Sequence, residues 1–143
     1  MYSTFRSCNC CNQSSTGGMD DMREGVREIR KGIHDIQEGL ADILCNTFFD
    51  GIREIDRGLH EVQEGECHII SGIRDIRING HSERLRDIQK GIRHIDEGID
   101  DIIEGINDLL RGDTNEGIGD IQEGLHDIEE GLLEILDGLN DIL

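Results

Sequence analysis

The side chains in this chain that could do chemistry are its cysteines, histidines and carboxylates, and their spacing limits what that chemistry is. There are five cysteines, an odd number that leaves a free thiol or an intermolecular bond. Cys8, Cys10 and Cys11 crowd into the polar stretch Ser7 to Ser15, while Cys45 and Cys67 stand alone. Three readings of the stretch stand side by side: an arm that crosslinks neighbours by disulfide, a thiolate metal site, and an unpaired tail. The metal reading is the weakest, because structural zinc sites space their cysteines by about two to four residues. The histidines are His34, His60, His68, His81, His94 and His126, and no two form a His-x-x-x-His pair. Cys67 and His68 are a soft-metal pair by type, but neighbours on a helix point about 100° apart and chelate poorly.

No nucleophile sits in a local catalytic signature, and no glycine loop of the phosphate-binding kind occurs. The chain therefore reads as non-enzymatic, with no catalytic residue, no metal site and no cofactor assigned. With 32 Asp and Glu against 14 Lys and Arg, the net charge is -18. That balance argues against nucleic acid as a partner, since phosphate needs clustered cations. It argues equally against electrostatic attachment to an anionic membrane. No apolar run approaches the ~18 residues of a membrane span. Met1 to Thr16 lacks the apolar core of a secretory signal, and no compartment follows from the sequence.

Glycine reveals the elements that must position these groups. It recurs every seven residues from 18 to 39, 51 to 72, 91 to 105 and 117 to 138. The blocks begin at 18, 51, 84 and 117, a 33-residue repeat in which only Arg84 departs from glycine at the first position. Such a period decides the fold before any other feature. Counting heptad positions from glycine, position five is Met22, Val62, Leu109 or Ile in every heptad. Position two is aliphatic or Met everywhere except Glu66. Apolar residues three and four apart line one face of a helix. The chain thus reads as all-α, with four antiparallel helices over 18–45, 51–78, 84–111 and 117–143, forming a bundle or a helical layer. Residues 1–17 form a separate Cys-rich arm. The segment 25–45 aligns with the second block equally well when shifted by one heptad, which allows a first helix one heptad shorter.

The five-residue linkers carry stop and start signals. Asn and Gly suit the left-handed residue after a helix, and Thr16, Asp50, Ser82 and Asn115 stand where N-caps belong.

Glycine within a helix costs roughly 0.8–1 kcal/mol against Ala. Its regular place beside the Ile stripe predicts close helix packing at Gly25, Gly32, Gly39, Gly58, Gly65, Gly91, Gly98, Gly105, Gly124 and Gly131. Position four is acidic in 14 of 16 heptads, with His68 and His94 as the exceptions. These ladders read either as a solvated face or as ligands for a hard cation. Position six turns apolar late in the helices, at Leu44, Ile70, Ile103, Leu110, Leu136 and Leu143. That patch serves either as core or as a joint between subunits.

The short N-terminal arm with its Cys10-Cys11 pair, placed ahead of a compact body, resembles the connector of bacterial endospore appendage subunits. The resemblance covers Ser7 to Ser15 and implies an arm that locks neighbours covalently; the helical body departs from that family's β-rich one. The leading expectation is a structural subunit that assembles with itself through apolar and glycine helix faces, crosslinked through Cys8, Cys10, Cys11, Cys45 and Cys67. The alternatives are an adaptor that takes a partner helix in a glycine-lined groove, and a metal-buffering protein that uses the acidic ladders, His and Cys.

Overall fold

A computed structural model describes residues 17–78 and 85–142; the arm with Cys8, Cys10 and Cys11, its resemblance, and the caps Thr16 and Ser82 lie outside them. The described residues form four helices, α1 (Gly18–Leu44), α2 (Phe48–Ile78), α3 (Arg86–Leu110) and α4 (Thr114–Ile142), and no strand. The fold is all-α.

The second and fourth helices begin three residues before their first glycine, so the predicted five-residue linkers 46–50 and 112–116 shorten to three residues, 45–47 and 111–113. The reason is the way each preceding helix ends. After α1, Asn46 takes the left-handed conformation (φ 74°), and Thr47 N–H donates to Asp42 C=O at 2.9 Å. After α3, Gly112 does the same (φ 94°), and Asp113 N–H donates to Asp108 C=O at 2.9 Å. One left-handed residue reverses the chain, and the next helix starts at once. The predicted N-caps Asp50 and Asn115 are therefore inside the first turns of α2 and α4. Thr47 and Asp113 precede the helices instead, and their carbonyls accept from Gly51 and Gly117 N–H. Asp50 still favours its helix, since a negative charge in the first turn opposes the macrodipole. The helix α1 keeps its first heptad, because Gly18 packs against Gly72.

The helices pair in two ways. Within the hairpins α1/α2 and α3/α4 the backbones run close along their whole length. Between hairpins the contact is through side chains, α1 to α4 and α2 to α3. A flat layer would hold α1 and α4 apart at opposite edges, so the arrangement is a closed bundle of two hairpins.

Position five fills the space inside each hairpin: Met22, Ile29, Ile36, Ile55, Val62, Ile69, Ile88, Ile95, Ile102, Ile121, Ile128 and Ile135 have no exposed surface. Position two lines the junction between hairpins, with Ile33 and Leu132 on the α1–α4 side and Ile73 and Ile92 on the α2–α3 side. Each aliphatic side chain so buried contributes about 1.5–3 kcal/mol.

Candidate functional site: a glycine seam edged by paired carboxylates

Two seams run through the protein, and the ten glycines read as close contacts all lie in them. In the first, Gly25 faces Gly65, Gly32 faces Gly58 and Gly39 faces Gly51; in the second, Gly91 faces Gly131, Gly98 faces Gly124 and Gly105 faces Gly117. A Cβ on Gly32 would stand 2.5 Å from the Gly58 carbonyl oxygen, and a Cβ on Gly58 would stand 2.5 Å from that of Gly32. In each position a hydrogen takes the place of the Cβ and points at the facing carbonyl, giving reciprocal Cα–H···O contacts. Gly51, Gly72, Gly117 and Gly138 belong to the seams as well, and heptad position one would have identified them. Gly138 packs against Ile88 just as Gly131 packs against Ile95. The glycine edge is thus filled by the chain's own helices, which corrects the expectation of a glycine-lined groove open to a partner helix.

The same register decides what position four does. Antiparallel helices that bring glycine opposite glycine also bring position four opposite position four across the seam edge. In the first hairpin, Glu28 meets His68, Asp35 meets Glu61 and Asp42 meets Glu54. In the second, His94 meets Glu134, Asp101 meets Asp127 and Asp108 meets Asp120. Both histidine rungs are short: Nδ1–H of His68 donates to Glu28 Oε1 at 2.6 Å and that of His94 to Glu134 Oε1 at 2.5 Å. The remaining four rungs set carboxyl against carboxyl, near enough for one shared proton to join them in a hydrogen bond, and Glu54 Oε1 and Glu61 Oε1 are buried without a hydrogen-bond partner.

Two carboxylates cannot form that bond while both are ionised, so each such rung favours one proton. Burial raises Asp101 to a pKa of about 6, helped by the negative charges of Glu123 and Asp127. Burial, then the bond to Asp35, raises Glu61, although Lys31 at 3.2 Å opposes the shift. Glu54 rises mainly through its bond to Asp42, and Asp120 through burial and its bond to Asp108. Glu28 rises through burial, against the opposing pull of His68.

The other sequence-derived candidates are scattered. Cys45 is a free, exposed thiol at the C-terminus of α1. Cys67 is buried and disulfide-bonded. Among the described residues, His34, Asp35 and Glu38 lie close enough to hold one ion between them, with His34 and Glu38 exposed. Glu123 and His126 have the i, i+3 spacing of a di-iron ligand pair, but His126 is on the outside, 71% exposed. Of the apolar position-six residues, Ile103 is buried, Ile70 and Leu136 are half-buried, and Leu44 and Leu110 are exposed. No helix among the described residues is long and apolar enough to cross a membrane.

No protein family, curated protein or solved structure matches this chain.

Proposed function

We propose that the chain is a non-enzymatic structural subunit that assembles with copies of itself and is secured by disulfides. The observation that carries this reading is the turn end of the bundle. Both three-residue turns lie at that end, since α2 finishes beside the start of α3. Leu44 (63% exposed), Phe49 (72%) and Leu110 (61%) all stand there, together with the free thiol of Cys45. The glycine faces are consumed inside the subunit, and this end carries three of the four large hydrophobic side chains exposed among the described residues; the fourth, Leu133, lies on α4 away from the turns. Cys45 is about 40 Å along α1 from Gly18, at ~1.5 Å per residue. Cys10 and Cys11 lie eight and seven residues before Gly18, a reach of about 29 and 25 Å at ~3.6 Å per residue. An arm thiol that bonds Cys45 through either residue therefore comes from another copy.

Negative-stain electron microscopy and non-reducing electrophoresis of purified protein test the reading. Ordered assemblies that carry intermolecular disulfides and loosen on reduction are the expected result. Uniform small particles with and without reductant would refute it.

A second reading rests on the groove between α1 and α4, where Ile33, Leu132, Leu133 and Leu136 lie between Arg30 and Glu129. That groove suits an amphipathic partner helix, and assembly without any partner argues against it. Metal buffering is tested by elemental analysis of the purified protein.

A further inference from the structure

We infer that the carboxyl rungs form a proton-operated lock on the two hairpins, which tightens the bundle in mild acid and loosens it as pH rises to neutral. The inference is independent of the assembly reading, because it concerns the stability of a single chain.

Geometry carries the argument. The glycine seam holds the facing helices at close approach and the short turns fix their register, so position-four groups cannot move apart across the seam edge. Asp101 on α3 is faced from α4 by Asp127, Glu123 and Asp120, and no cation is among them. Asp120 is faced from α3 by Asp108 and Glu104, with Glu116 beside it on α4; Arg111 is committed to Asp108. Glu54 is faced from α1 by Asp42 and Glu38, with Arg57 on its own helix. Glu61 is faced from α1 by Asp35 and by the single cation Lys31. Acidic groups thus dominate every carboxyl rung, and one proton converts repulsion into a hydrogen bond.

The two histidine rungs set an imidazole, in place of a second carboxyl, against a glutamate. His68 and His94 are not equivalent in the repeat, since they occupy the third heptad of block two and the second heptad of block three. They nevertheless occupy the same level in the two hairpins, the farthest from the turns of the three rungs named in each, each against a glutamate.

Groups held above their unfolded pKa bind protons more tightly in the folded state. Their stabilisation is complete below about pH 4, the unfolded carboxyl range, and is lost as pH rises through the folded values, about 6 for Asp101. This is opposite in sign to the usual salt-bridged carboxylate.

The test is thermal denaturation of the full chain, at low concentration in EDTA, at pH 5.0 and pH 7.5. The wild type should melt higher at pH 5.0, by about 5 °C or more. The variant Glu54→Gln/Glu61→Gln/Asp120→Asn/Asp127→Asn keeps a hydrogen-bonding group in each carboxyl rung and removes the need for the proton. It should melt higher than wild type at pH 7.5 and show a reduced pH dependence. A charge-matched control, Asp96→Asn/Glu97→Gln/Glu129→Gln/Asp137→Asn, changes exposed carboxylates away from the rungs and should keep the wild-type slope. A milder variant, Asp127→Lys, replaces one rung by an ion pair and should be favoured at pH 7.5. Equal or lower melting of the wild type at pH 5.0 would overturn the inference. So would an unchanged slope in the rung variant, or an equal loss of slope in the control.

Discussion

Replacing Gly58 by Ala should destabilise the protein although the same change stabilises most helices. In a helix interior, Gly to Ala gains about 0.8–1 kcal/mol of propensity. At Gly58 the new methyl would lie 2.5 Å from the Gly32 carbonyl oxygen, 2.8 Å from Ile36 Cγ1 and 3.0 Å from Ile36 N. Two of these three atoms are backbone and cannot rotate away. A relaxed carbon–oxygen contact is about 3.3–3.6 Å, so α1 and α2 must part by roughly 1 Å at that level. Parting them loosens the Ile and Val side chains packed on either side. Overpacking of a tight interior costs typically ~1–3 kcal/mol, and the immobility of the backbone puts this site at the upper end. Net of propensity, the expected loss is about 1–2 kcal/mol. The melting temperature should fall by roughly 3–10 °C for a chain of this size. Gly119 supplies the control: it is exposed on α4, and a Cβ there meets nothing within 4 Å. Gly119→Ala should therefore raise stability by about 0.8–1 kcal/mol. Both variants are read by circular dichroism at 222 nm during heating, after equal helix content is established at 25 °C. If Gly58→Ala melted at or above wild type, the close-packed seam would be wrong. If Gly119→Ala were also destabilising, the propensity argument would be wrong.

Further outcomes follow from other parts of the structure. The double change Gly58→Leu/Gly65→Leu should prevent the first hairpin from closing, seen as loss of cooperative melting. Asn46→Gly should raise the urea midpoint and Asn46→Ala should lower it by about 1 kcal/mol, since residue 46 is left-handed. Arg111→Ala strips the partner from Asp108, whose side chain is 7% exposed. It should cost about 1–3 kcal/mol in chemical denaturation, the penalty of a buried carboxylate that loses its charge-assisted bond. Cys45→Ser should abolish reductant-sensitive crosslinking through the turn end while leaving the melting temperature unchanged; persistence of the same crosslinks would remove Cys45 from the assembly reading.

The helical class and the contact glycines were legible because every heptad meets nearly the same environment, so one rule written sixteen times is hard to misread. The stop signals were legible for the same local reason: Asn46 and Gly112 are the residues that tolerate a left-handed turn. Helix starts were less so. Phe48-Phe49-Asp50 and Thr114-Asn115-Glu116 contain no helix breaker, and only the three-dimensional reversal decides that they join the following helix. The rungs were invisible for a deeper reason. A column of acids along one helix has no meaning until the antiparallel register sets another column against it, and turn geometry fixes that register. Likewise, the sequence shows that glycine faces must pack closely but does not say whether the partner is the chain's own neighbouring helix.

The short turns have a consequence beyond reversing the chain. A seam of glycines at a constant seven-residue interval looks the same after one helix slides about 10.5 Å past the other at ~1.5 Å per residue. Glycine would again face glycine, and isoleucine would again cover it. The interior therefore specifies alignment only modulo one heptad, like a ruler whose divisions carry no numerals. Two three-residue connections, each anchored by a left-handed residue and a backbone bond to Asp42 or Asp108, supply the missing origin. Lengthening a connection by seven residues would offer the hairpin a second alignment of nearly equal interior quality, differing chiefly in which acids and histidines meet across the edge.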